Sequence, residues 1–419
     1  MKNTRKAVFI VIGFCTTGLV SLLLAEGFLR LFPGFLPPER RQYMLVDMNN
    51  VGVKHSYIGH LHTPYARKHL SGPDYDVRQT TGAFGFRNPG PWPRHADIII
   101  LGDSLVFGYG VSDGSAWPAI VDRSFPDLKV LNLGLVGAGA EQYLRVYETF
   151  GERLHPKLVI VGMFPGNDFW DAAQFQEWLR EGAKGNYMVW RNDGHFSGSV
   201  LQQPAHAFRW LLLRHSYLYN LIVAARVNRQ AKQAGEPRIL RLKRGQVIRL
   251  LPSDFESRTA GSEPGRPEFQ LTVRALAQLH DRVVKNGGRI LVVLQPSKEE
   301  VYLPILGETV RDPSAALRPA FKQLGIQYLD LAPAFKREAN QGKALFFGAD
   351  GHPNSDGYQL IADQVIQYLH GVTWSPDARA ALGRLSLPPP QPAGWKAPSA
   401  PGTEWGARSE SQGHVGGER

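Results

Sequence analysis

Residues 98–110 read IIILGDSLVFGYG, and this stretch decides the fold. Ile98–Leu101 is an unbroken apolar run, whereas a half-solvated strand alternates apolar with polar residues. Gly102-Asp103-Ser104 ends the run at once. A strand covered on both faces and leading directly into a helix is the unit from which a parallel sheet between helical layers is built. At such a junction Ser104 projects its Oγ over the carboxyl edge of the sheet, the rim at which open α/β folds bind ligands. Its own N–H lies at a helix N-terminus, pointing where an oxyanion would form. Asp and Ser are also ordinary helix caps, so the tripeptide alone assigns no chemistry.

The same texture continues outward. Val130–Leu133, Leu158–Val161, Ile290–Leu294 and Gln327–Leu331 read as four further strands. Helices are expected over Ser115–Phe125, near Glu141–Leu154, and over Ser355–Leu369. Phe269, Val273, Leu276, His280 and Val283 fall on one helical stripe that ends at Gly287-Gly288. The prediction is a three-layer α/β/α sandwich around a central parallel five-stranded sheet, spanning 96–373. Before it, 32–95 reads as a juxtamembrane linker and a small β extension, with Tyr75–Thr80 β-like. About 174–264 reads as a basic insertion. Residues 374–419, rich in Pro, Gly, Ala and Ser without apolar periodicity, read as a disordered tail.

Composition narrows the classes. The chain has 419 residues, 43% hydrophobic and 20% charged, which excludes wholesale disorder. Cys15 is the single cysteine, so no intramolecular disulfide and no thiolate zinc cluster can form. No repeat of 20 to 50 residues is visible, which sets solenoids and propellers aside. The net charge of +11 suits an anionic partner surface.

Lys2, Arg5 and Lys6 precede an uncharged run from Ala7 to Ala25, closed by Glu26. Nineteen residues at ~1.5 Å rise span roughly 28 Å, close to the hydrocarbon thickness of a bilayer. The run exceeds the apolar core of a signal peptide, and no small-x-small cleavage site follows, so 1–31 reads as a signal anchor. Positive charge before the span keeps the N-terminus cytoplasmic and puts the rest outside, in the periplasm of a single-pass inner-membrane protein.

Three more segments sit where chemistry is expected. Asn132-Leu133-Gly134-Leu135-Val136-Gly137 follows the second strand, and Gly137 can bring a backbone N–H close to a substrate. A dinucleotide loop is the competing reading of Gly137-Ala138-Gly139, but Gln142 stands where the third glycine belongs. Gly166-Asn167-Asp168 follows the third strand, and the Asn167 amide can serve either as an oxyanion donor or as a helix cap. Asp350-Gly351-His352-Pro353-Asn354 precedes the last helix. A serine hydroxyl needs an adjacent base, which His352 can be, with Asp350 holding its other ring nitrogen. Asp356 reads as the cap of the closing helix and Asp330 as a structural residue at a strand end.

Taken together and in this order, the four segments resemble the SGNH hydrolases, also called the GDSL esterase/lipase family, over roughly residues 96–372. The resemblance implies Ser104 as nucleophile, His352 as base and Asp350 as its partner. It also implies an oxyanion hole made by Ser104 N–H, Gly137 N–H and the Asn167 side chain, with no metal or organic cofactor. Gly85-Phe86-Arg87 and Ala25-Glu26-Gly27-Phe28-Leu29-Arg30 are similar to phrases of membrane-anchored bacterial members. One departure stands out: only Gly351 separates Asp350 from His352, where the common pattern has two residues. The shorter spacing is similar to that of SGNH-like polysaccharide O-acetyltransferases.

Other signals carry less. His60-Leu61-His62 has no carboxylate or thiolate at ligand spacing, and a solvated loop is expected rather than a metal site. Ala205–Leu250 holds ten Lys/Arg against one acid, Glu236. An address outside the cytoplasm disfavours nucleic acid; anionic lipid headgroups, an acidic glycan or a plain solvated face remain. Arg87 and this basic stretch, including Arg241, Lys243 and Arg244, suggest an acidic substrate. The expected activity is a membrane-tethered serine esterase acting on acyl esters. An O-acyltransferase of envelope polysaccharide and a non-catalytic glycan- or protein-binding module are the alternatives.

Overall fold

A computed structural model describes residues 2–35, 52–71, 74–193, 212, 215–222, 237–243 and 245–371. The tail 374–419 and much of the basic stretch, Arg244 included, lie outside the described residues.

Five strands form one parallel sheet: β1 (Ile98–Gly102), β2 (Val130–Gly134), β3 (Leu158–Met163), β4 (Arg289–Leu294) and β5 (Gln327–Asp330). Their order is β5-β4-β3-β1-β2, every pairing parallel. The unbroken apolar runs are explained by burial on both faces. Ile98 and Ile100 enter one core with Val130, Leu158, Ile160, Leu291 and Val293. Ile99 and Leu101 enter a second core with Leu131, Leu133, Val159, Val161, Ile290 and Val292. Successive side chains point to opposite faces, so each residue in a run has its own apolar layer to fill.

Helices Trp117–Ser124 and Ser355–Gly371 cover the first face. Helices Ala140–Val146 and Pro267–Lys285 cover the second, the latter through Phe269, Leu276 and Val283 of the expected stripe. Because β1 leads to β2 on one side while β3 lies on the other, chain direction across the sheet reverses beside β1. In open α/β sheets such a reversal marks the rim where ligands bind, here the carboxyl ends of β1 and β3.

Several expectations need adjusting. Helix Lys2–Leu31 runs on past the uncharged stretch that Glu26 closes. Glu26 and Arg30 pair one turn apart at 2.9 Å, and no breaker intervenes before Pro33. The window long and apolar enough to cross a membrane is accordingly Ile12–Leu31. Glu26 also accepts from the Ser216 hydroxyl and the Tyr217 and Leu218 amides at 2.9–3.0 Å, tying the anchor to the segment 215–222. The described part of the basic insertion packs on the sheet. Its antiparallel hairpin, Arg238–Arg241 with Val247–Leu250, places Leu240, Leu242, Ile248 and Leu250 in the first core. Asn354, not Asp356, caps the closing helix, accepting from Gly357 N–H at 3.0 Å. Asp330 has a structural partner in Arg318, at 2.7 Å.

Candidate active site

Ser104 follows β1 as the first residue of the short helix Ser104–Phe107. Asp103 caps that helix, its carboxylate accepting from Leu105 N–H at 2.8 Å. The turn depends on close backbone approach. A Cβ at Gly102 would lie 2.2 Å from Val106 Cγ2 and 2.6 Å from Gly162 O, so only glycine lets the helix settle on the sheet. Arg87 secures the far end, donating to the carbonyls of Phe107, Gly108 and Val111 and to Asp113. It is buried under the helix, so the suggestion that it meets an acidic substrate is withdrawn.

The loop before the closing helix brings the other two side chains to Ser104. His352 Nε2 lies 2.8 Å from Ser104 Oγ, and His352 Nδ1 lies 2.6 Å from Asp350 Oδ1. The same carboxylate oxygen accepts from His352 N–H at 2.8 Å. One intervening glycine is therefore enough, because the short turn gives both His352 donors a single acceptor. Tyr109 packs its ring on the imidazole, centroids 4.8 Å apart. Burial alone would lower the His352 pKa, but the Asp350 carboxylate at Nδ1, with Asp103 behind, outweighs burial and raises it. Burial likewise pulls Asp350 upward, and the His352 charge and hydrogen bonds hold it well below the usual carboxylate range.

Three N–H donors are expected to form an oxyanion hole. At the first helical position the Ser104 amide has no partner among the described residues. Along the loop after β2, the amides of Leu135, Val136, Ala138 and Gly139 are bonded to Gly102 O, His62 Nε2, Leu135 O and Gln142 Oε1. Gly137 N–H alone in that loop has no partner among the described residues. Gly137 adopts φ +73°, and a Cβ there would meet Met188 Sδ at 2.8 Å. Asn167 begins helix Asp168–Arg180 but makes no side-chain cap bond, and it lies close enough to Asp103 to hold that carboxyl down.

Sequence reasoning missed the acids behind Ser104. Asp103, Asp168 and Asp171 are completely buried. Burial pushes Asp103 up to about 6 and raises Asp168 and Asp171 too, with Arg191 as the cation on Asp171 at 2.5 Å. The adjacency of Asp103 to Ser104 and of Asp168 to Asn167 was the available signal. The solvated loop expected at His60 and His62 is also overturned: both rings are buried, 1% and 3% exposed. Among the described residues no group of three His, Cys, Asp or Glu is arranged to hold a metal.

The model of the GDSL-like lipase/acylhydrolase family matches residues 100–360. The chain belongs to that family. It is thus an enzyme of the ester-hydrolysing class, built on the SGNH fold. Solved structures similar to it include a lipolytic protein of the G-D-S-L family from Veillonella parvula DSM 2008. That one is 14% identical, over 66% of this chain and 98% of its own, with TM-score 0.33. The esterase EstA from a Pseudoalteromonas species is 13% identical over 65% and 96%, with TM-score 0.32. The acetyl xylan esterase AlAXEase is 10% identical over 65% and 99%, with TM-score 0.33. A search of curated protein sequences found no match.

Proposed function

We propose that this family member is a membrane-tethered serine esterase that cleaves carboxylic esters through an acyl-enzyme outside the cytoplasm. The observation that carries the reading is the unbroken hydrogen-bonded line Ser104–His352–Asp350, at 2.8 and 2.6 Å, at the carboxyl end of β1. Ser104 Oγ attacks the ester carbonyl carbon while His352 Nε2 takes its proton. The carbonyl oxygen becomes an oxyanion facing Ser104 N–H, Gly137 N–H and the Asn167 amide. The C–O bond to the alcohol then breaks, and His352 returns the proton to the departing oxygen. Water, deprotonated by His352, releases the acid. Asp350 keeps the imidazole tautomer and orientation and stabilises its charged form.

Helix Lys2–Leu31, with Ile12–Leu31 apolar enough to span a bilayer, supports a single-pass tether. The basic residues Lys2, Arg5 and Lys6 favour a cytoplasmic N-terminus. A second reading, acyl transfer to a hydroxyl of an envelope polysaccharide, is favoured by the one-residue spacing of Asp350 and His352. It uses the same acyl-enzyme with an acceptor hydroxyl in place of water.

The test uses the full chain in detergent with p-nitrophenyl esters from acetate to longer acyl groups, beside Ser104→Ala and His352→Ala. Turnover abolished by both substitutions is expected. No turnover and no labelling of Ser104 by a fluorophosphonate would overturn the reading. Labelling without turnover, relieved by an added polysaccharide acceptor, would favour transfer. Protease access to the catalytic part from the outer face of the membrane tests the address.

A further inference from the structure

The N-terminal hairpin, Val53–His55 paired with Gly59–Leu61, delivers two buried histidines to the loop that follows β2. His60 Nε2 lies 2.9 Å from Val136 O, and Val136 N–H lies 3.2 Å from His62 Nε2. A carbonyl needs a donor and an amide needs an acceptor. His60 therefore carries its proton on Nε2 and His62 carries its own on Nδ1, both rings neutral. Burial enforces this, driving His60 down to about 3 and His62 well below the ordinary histidine value.

The carbonyl of Val136 and the N–H of Gly137 belong to one peptide unit. That unit is planar and trans, so its C=O and N–H point in opposite directions. Holding the carbonyl against the hairpin aims the N–H away from it. We infer that His60 and His62 are positioning residues of the oxyanion hole, locking the Val136–Gly137 peptide so that Gly137 N–H faces the reacting carbonyl oxygen. The inference rests on the reading of Ser104 as nucleophile.

A lock has work to do here. At glycine both signs of φ are accessible, and Gly137 sits at +73°. A flip of the preceding peptide would put a carbonyl where the oxyanion forms, replacing a donor with an acceptor. His60 opposes the flip because its buried N–H would lose its acceptor. A hydrogen bond accepted by the carbonyl also polarises the peptide, which strengthens its N–H as a donor. The surroundings brace the clamp. The His62 ring packs on Phe107, centroids 4.2 Å apart, at the end of the helix that starts with Ser104. Gln142 donates to Ile58 O at 2.9 Å, and the Tyr143 hydroxyl donates to Asp168 Oδ1 at 2.7 Å while lying 3.1 Å from Ala138 O. His60 Nδ1 has no partner among the described residues. An apolar ring would fill the same space without that unmet atom, so the donor on Nε2 is what the position uses.

The experiment measures kcat and KM for p-nitrophenyl acetate in the detergent-solubilised full chain and in His60→Phe, His60→Gln and His62→Gln. His60→Phe keeps a ring and removes the donor; His60→Gln returns an N–H. The expected result for His60→Phe is a kcat lower by about 10- to 100-fold with KM changed by less than about threefold. Partial recovery of kcat is expected in His60→Gln, with thermal midpoints of the two variants alike. An unchanged kcat in folded His60→Phe, or equal losses in the Phe and Gln variants, overturns the inference. Should His60→Phe not fold, folded His62→Gln decides: kcat must fall more than KM rises, and an unchanged kcat overturns it. Turnover that survives Ser104→Ala overturns the nucleophile assignment and this inference with it. Turnover that needs Ser104 but ignores His60 overturns this inference alone.

Discussion

The ammonium of Lys298 lies 2.9 Å from the main-chain oxygen of Asp350. It also reaches the carbonyls of Phe347, Gly348 and Ala349 at 3.3–3.4 Å, and the side chain is almost wholly buried. Burial lowers the Lys298 pKa, opposed by the charges of Glu299, Asp350 and Asp74. One cation thus gathers four consecutive carbonyls of the loop that carries Asp350 and His352. Lys298→Met keeps the stem and deletes the charge. It should lower stability by about 2–3 kcal/mol, since charged hydrogen bonds are lost and the carbonyls stay buried. It should also lower kcat/KM by about tenfold or more through a misplaced His352. Chemical denaturation and esterase kinetics check both. Undiminished kcat/KM in a folded variant would show that Asp74, which accepts from the Ala349 and Asp350 amides, holds the loop alone.

The pH profile follows from the His352–Asp350 pair. His352 acts as a base only when neutral, and its pKa is raised above 6.5, with the Asp350 charge outweighing burial. Activity should therefore rise with pH through a midpoint above 6.5. In Asp350→Asn that charge is gone, so the midpoint should move to lower pH while kcat falls. For stability the signs differ between the partners. The raised His352 pKa adds stability that is complete below 6.5 and lost as pH rises through the folded value. The lowered Asp350 pKa adds stability present above 3.8 and lost as pH falls through its folded value. A kcat/KM profile of Asp350→Asn that moved to higher pH would sink this account.

Arg87 is an internal strut, so its loss should not discriminate between substrates. Its guanidinium serves three carbonyls at and beyond the end of the Ser104 helix and the Asp113 carboxylate. Arg87→Met should cost about 3 kcal/mol of stability, because those carbonyls stay buried without a donor. It should reduce kcat/KM equally for an anionic and a neutral ester of the same length. A selective rise in KM for the anionic ester would restore Arg87 as a substrate contact.

What could be read from the chain was local. Ile98–Leu101 and its counterparts declare buried strands because each residue meets an apolar layer, and Ser104 and Asn167 mark strand ends by position alone. His352 and Asp350 were legible because they are near neighbours in sequence. The residues that support them were not. His60 and His62 act on Val136, 76 and 74 residues away, and Arg87 acts on Phe107, 20 residues away. Their pairing exists only after the hairpin packs on the sheet, so the same letters read as exposed polar residues. The ties of the anchor helix were hidden for a related reason: Glu26 meets Arg30 one turn on, but Ser216 only 190 residues away.

Asn167 separates a structural cap from an oxyanion donor. At the helix start its side chain leaves the backbone amides alone and lies beside Asp103, which burial has pushed up to about 6. Its amide NH2 is the group that can donate to the reacting oxygen. Asn167→Ala should therefore leave the start of helix Asp168–Arg180 intact, with a stability change under about 1 kcal/mol. The same variant should lose about 100-fold or more in kcat, the usual effect of deleting one oxyanion donor, with KM nearly unchanged. Removing the amide from beside Asp103 should raise that carboxyl further, an upward shift detectable by infrared titration of the carboxyl band. A lowered thermal midpoint with kcat intact would assign Asn167 to the helix and leave the oxyanion to the two backbone amides.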